Sequence, residues 1–102
     1  MAIHIVDTKI VPDTLMVGKD AKVFCKVDSS ADIQSVQVID PRDWVLKMYD
    51  DGTHGDEAAG DGVYTLTEQV PYDADPGWYD AMIVAKNSTG EVARKTVSFR
   101  VS

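Results

Sequence analysis

A single cysteine, Cys25, stands in the 102 residues, so the chain can form no internal disulfide. Cysteine content therefore leaves the redox compartment open. No apolar run approaches the eighteen residues that suggest a membrane span, and the N-terminus lacks the basic start and long apolar stretch of a signal peptide. If secreted, the protein is expected here as an internal domain, with Met1 as an added start codon. Basic residues are few, 10 Lys and Arg against 17 Asp and Glu, for a net charge of −7. Without a basic stripe to neutralise phosphates, nucleic-acid binding is excluded. One Cys and two distant histidines, His4 and His54, cannot build a tetrahedral zinc site. No Ser or Cys stands in a nucleophile motif such as G-x-S-x-G. Paired carboxylates are present, but nothing apolar stands beside them to raise one pKa for acid–base work. The chain is thus expected not to be an enzyme.

A helical period is also missing; what the sequence holds instead is strand after strand. Hydrophobic content of 44% and charged content of 26% are ordinary for a globular chain, and 102 residues are enough for one two-layer core. Alternating runs are expected as strands at 3–11, 21–28, 33–40, 44–49, 63–70, 78–86 and 91–101, punctuated by Pro12, Pro41, the turn-forming PYDADPG and the hairpin loop Asn87-Ser88-Thr89-Gly90. Seven short strands with no helical spacer predict an all-β fold: a single seven-stranded antiparallel immunoglobulin-like β-sandwich spanning 1–102, with a parallel sheet excluded by the lack of crossovers.

The period-2 pattern also assigns faces. Val23, Cys25, Val27, Val36, Val38, Leu46, Tyr64, Leu66, Ile83, Val97 and Phe99 are expected in the core, with Cys25 a buried, inert thiol. On the opposite side of residues 78–86, Met82 and Val84, with Phe24, suggest an outward apolar patch for contact with a neighbouring domain or a second copy.

Charge is unevenly placed. Residues 40–80 carry eleven acids against Arg42 and Lys47, a segment charge of −9, leaving +2 for the rest. Within it, Asp50, Asp51, Asp56, Glu57 and Asp61 crowd into thirteen positions with Gly52, Gly55, Gly60 and Gly62. Like charges this close oppose a compact loop unless a cation joins them. Hard oxygens favour Ca²⁺. The competing reading is an acidic, solvated turn, since Asp and Gly are also common turn residues. The spacing is not that of an EF-hand, because Gly52 directly follows Asp51 and the flanks are strand-like.

The segment Asp50–Thr65, DDGTHGDEAAGDGVYT, resembles a pattern, D-D-G-x-x-G-D-x-x-A-G-D-G-x-Y-T, carried by immunoglobulin-like or fibronectin-III-like sandwich modules of bacterial and archaeal secreted or surface proteins. Every fixed position is met, and weaker echoes lie in GWYDAMIVAKNSTGEV and IVPDTLMVGKDAKVFCKV. The resemblance implies an extracellular or cell-surface module with a calcium loop, in which Asp51, Asp56 and Asp61 are expected as metal ligands, Asp50 as a weaker one, and the Thr53 and Ala58 carbonyls as nearest additions. Glu57 falls on a variable position of the pattern.

Two functional classes remain: a structural or adhesive module contacting neighbouring domains or another surface protein, and a carbohydrate-binding module in which Trp44, Trp78, Tyr72 and Tyr49 supply flat rings. Aromatics at the start of a strand, as Trp78 and Tyr79 are, more often anchor a core or a corner. Asn87-Ser88-Thr89 fits an N-glycosylation acceptor, although the hairpin alone accounts for its Asn and Gly.

Overall fold

A computed structural model describes residues 3–42, 44–49 and 62–102. Eight strands occur among them: β1 (Ile3–Val11), β2 (Thr14–Leu15), β3 (Asp20–Ser29), β4 (Ile33–Ile39), β5 (Val45–Lys47), β6 (Val63–Gln69), β7 (Gly77–Asn87) and β8 (Val92–Val101). They build a three-stranded sheet in the order β1-β3-β6 and a five-stranded sheet in the order β2-β8-β7-β4-β5. The all-β two-sheet sandwich expected from the alternation is the fold observed.

Two details of that expectation are corrected. Among the described residues there are eight strands, not seven, and one pair is parallel. Pro12 has no N–H to extend β1, and Thr14 and Leu15 pair instead with Arg100 and Val101 in parallel. Parallel neighbours need a long connection, which nearly the whole domain between residues 15 and 100 supplies.

Alternation places the inner faces. Val23 pairs with Leu66 and Cys25 with Tyr64 in one sheet; Val38 faces Ile83 and Val36 faces Ala85 in the other. All eleven expected core residues lie in the main apolar cluster: Cys25, Val27, Val36, Val38, Leu66 and Ile83 are buried, and Val23, Leu46, Tyr64, Val97 and Phe99 pack half-buried against them. Met48, Ile3, Ala81 and Ala85 complete the buried part. A second cluster of Leu15, Ala21, Val70 and Val101 sits at one end, with Phe99 reaching both.

On the outer face of the five-stranded sheet, Val45, Ile39, Met82 and Thr96 form one row across β5, β4, β7 and β8. Phe24 does not join it. Its register opposite Lys9 and Thr65 puts it on the outer face of the three-stranded sheet, so the expected patch of Met82, Val84 and Phe24 is split between two surfaces.

Between β5 and β6 the chain changes sheets. The Met48 N–H still donates to the Val36 carbonyl of β4 (2.8 Å), while Tyr49 and Thr65 exchange both backbone bonds (2.9 and 2.8 Å). Trp44 is kept out of β5 because Asp40 Oδ1 accepts from the N–H groups of both Arg42 (2.9 Å) and Trp44 (3.0 Å), closing a side-chain turn before the strand.

Candidate functional site

The expected metal ligands Asp50, Asp51, Asp56 and Asp61 lie outside the described residues. Their described flanks are tied to the three-stranded sheet: Tyr49 through its double bond to Thr65, and Gly62 through its carbonyl, which accepts from the Val27 N–H at 3.0 Å. Among the described residues no group of three or more His, Cys, Asp or Glu is placed to hold a metal. His4 is exposed on β1 opposite Asp28. Burial, with a smaller push from Asp7, raises the Cys25 thiol to about 12, so the reactive thiolate is suppressed at neutral pH.

The β7–β8 hairpin is built on Asn87, which is buried at 0% exposure. Its Nδ2 donates to Ser29 Oγ (3.2 Å) and Glu91 Oε1 (3.0 Å); its Oδ1 accepts from the Thr89 N–H (3.2 Å), the Thr89 hydroxyl (2.9 Å) and the Glu91 N–H (2.9 Å). The Gly90 N–H closes the turn onto the Asn87 carbonyl at 3.2 Å, and Gly90 takes φ +87°, the left-handed position that follows such a turn in hairpins. Donation from Asn87, and less so from Thr89, holds the Glu91 carboxyl below its ordinary value despite partial desolvation. With both amide hydrogens engaged and no surface exposed, the acceptor-like triplet is a structural turn in the folded chain.

The aromatics divide. Tyr79 is an anchor: its hydroxyl donates to the Asp75 carbonyl four residues back (2.6 Å) and its ring stacks on Phe99 at 5.8 Å, the geometry of a tyrosine corner. Trp78, its neighbour, instead stands 72% exposed on the outer face of β7. Tyr72 is 78% exposed, its ring beside Gly18, where an added Cβ would collide with it. The exposed Trp44 has the Arg42 guanidinium 3.9 Å above its ring, and Lys47 Nζ lies 5.3 Å from the Tyr49 ring. Trp44 and Tyr49 flank β5, Tyr72 lies in the turn between β6 and β7, and Trp78 stands on β7.

One concavity is not legible in the sequence. Where the two apolar clusters part, a cavity of about 340 Å³ lies between the sheets, lined by Leu15, Ala21, Leu66, Ala81, Val97 and Phe99 among others. Asp40, Arg42, Glu68, Asp73 and Asp75 also border it. Asp40 and Arg42 neutralise one another through a 2.6 Å ion pair. Glu68 pairs with Ala21 on the inward face, and alternation with Tyr64 and Leu66 was the signal that could have placed it there.

Residues 7–98 match the family described as the conditioned medium factor second Ig-like domain. The chain belongs to that family. Among solved structures, this Ig-like chain is similar to the fibronectin(III)-like modules of Clostridium thermocellum CbhA, with a TM-score of 0.60 and 18% identity over 94% of its length. It spans 46% of that structure. A Niemann-Pick type C2 protein from Japanese carpenter ant is similar at a TM-score of 0.55 and 14% identity, covering 95% of this chain and 89% of the other. At such identities these two likenesses concern the fold. No curated protein matches the chain.

Proposed function

We propose that this Ig-like domain is a non-catalytic structural or adhesive module of a larger secreted or cell-surface protein, stabilised by Ca²⁺ in the loop 50–61. The observation that carries the reading is the match of residues 7–98 to a family defined as the second Ig-like domain of a protein, a description that implies at least one companion domain. The word "medium" in that name supports a secreted setting. Support for calcium comes from the sequence: Asp50, Asp51, Asp56 and Asp61 are hard donors crowded without a compensating base. Calorimetric titration of Ca²⁺ into chelator-stripped domain tests it. One site with a dissociation constant of about 10⁻⁴–10⁻³ M is expected; no heat would remove the calcium half of the reading.

The neighbouring domain is proposed to contact the outer row of Val45, Ile39 and Met82, because an apolar row crossing a solvent-facing sheet marks an interaction surface. A second reading, carbohydrate binding, is favoured only by the exposure of Trp78, Tyr72 and Trp44. Glycan binding lost in Trp78→Ala would select it.

A further inference from the structure

The cleft between the sheets is the feature that a purely structural role leaves unexplained. Its volume, about 340 Å³, falls within the range of small-molecule pockets and is more than twice the roughly 150 Å³ of an engineered apolar cavity that takes up benzene. Three independent observations show that the packing is interrupted there. The buried apolar residues fall into two clusters rather than one. Val23, Leu46, Val97 and Phe99, all on inner faces, are only half-buried. Small residues, Ala21, Ala74 and Ala81, line the gap. Interiors of folded domains are close-packed, so a half-open apolar cleft of this size between the sheets is room that a small ligand can fill. Water is a poor filling, since the apolar walls offer it few of the two to four polar partners it needs.

Charge at the mouth selects the head group. Arg42, the basic residue among those bordering the cleft, is occupied by Asp40 and stacked on Trp44. Glu68, Asp73 and Asp75 are exposed and make no ion pair among the described residues. An inward-facing Glu68 alone reads as a charge that guards an edge strand against pairing with other chains. Three uncompensated carboxylates around an apolar opening do more, because they attract a cation and repel an anion there.

We infer that the cleft binds an amphiphile with an apolar body on the order of ten carbon atoms, each taking up about the ~30 Å³ share of a water molecule, and a cationic head held among Glu68, Asp73 and Asp75. This is a ligand-binding activity beyond the structural role proposed above. Decyltrimethylammonium, decanol and decanoate, each below its micelle concentration, test it by methyl NMR of the 102-residue chain. The methyls of Leu15, Leu66, Ala81 and Val97 shift with decyltrimethylammonium, at a dissociation constant about tenfold lower than with decanoate in low salt, and the gap closes as salt is added. Decanol falls between. Glu68→Gln combined with Asp73→Asn and Asp75→Asn, all exposed positions, retains the fold and abolishes the preference. Ala81→Leu fills the cleft and weakens all three ligands. No shift of the cavity methyls, shifts confined to Val45 and Met82 on the outer face, or equal affinity for the three head groups in the wild type would each overturn the inference.

Discussion

Replacing Asn87 by Ala removes the side chain on which the last hairpin is built. Five hydrogen bonds are lost, two donated and three accepted, around a residue with no exposed surface. Each such bond contributes about 1 kcal/mol net, but Thr89 is exposed and Ser29 and Glu91 are only half-buried, so water replaces part of the set. The expected loss is about 2–3 kcal/mol, or a fall in Tm of about 10–20 °C for a domain of this size. Asn87→Asp separates hydrogen bonding from charge. In the wild type, Asn87 and Thr89 hold the Glu91 carboxyl below its ordinary value, so that contribution is present above the unfolded carboxyl pKa and is lost as pH falls through the folded one. In Asn87→Asp, two carboxylates face one another and a folded pKa rises; the stability left is then present at low pH and lost as pH increases. Urea denaturation at pH 4 and pH 7 should find the gap between wild type and Asn87→Asp wider at pH 7. A gap independent of pH, or an Asn87→Ala protein within about 0.5 kcal/mol of wild type, would refute the reasoning.

Ile83→Ala, at a position with no exposed surface in the main cluster, should cost about 2–5 kcal/mol in chemical denaturation. The Cys25 thiol should stay unmodified by a thiol-specific reagent in native buffer and react fully in denaturant. The stability it contributes as a neutral group is complete below the unfolded thiol value of about 8.5 and lost as pH rises toward about 12. Met82→Lys, on the exposed outer row, should leave the isolated domain within about 0.5 kcal/mol of wild type, while freeing its tumbling from a neighbouring domain in the longer protein, as read by NMR relaxation.

The sandwich was legible because alternation survives burial on one face. Val97, Phe99 and Val101 against Ser98 and Arg100 fix β8, and Val23, Cys25 and Val27 against Lys22 and Lys26 fix β3. β2 was not legible, because two residues carry no period and its pairing with β8 depends on the other end of the chain. Asn87 read only as a hairpin-loop residue, since nothing local reveals that Ser29, 58 positions away, takes its amide proton. Phe24 was assigned to the wrong surface because alternation says inside or outside but not which sheet. The cleft was hidden for the same reason. It arises from how the strands divide, three against five, and from where two clusters fail to meet. The proposed calcium ligands were singled out by charge crowding and a resemblance, and lie outside the described residues.

The central claim, a sandwich module stabilised by calcium, is tested most directly by thermal melts of the wild type and of Asp56→Ala, each with chelator and with Ca²⁺. At about 5 mM Ca²⁺, ten times a mid-range extracellular dissociation constant, binding contributes about 1.4 kcal/mol. The wild-type Tm should rise by several degrees and that of Asp56→Ala by much less. An unchanged Tm in both proteins would contradict the claim and leave the segment an acidic turn on an Ig-like sandwich.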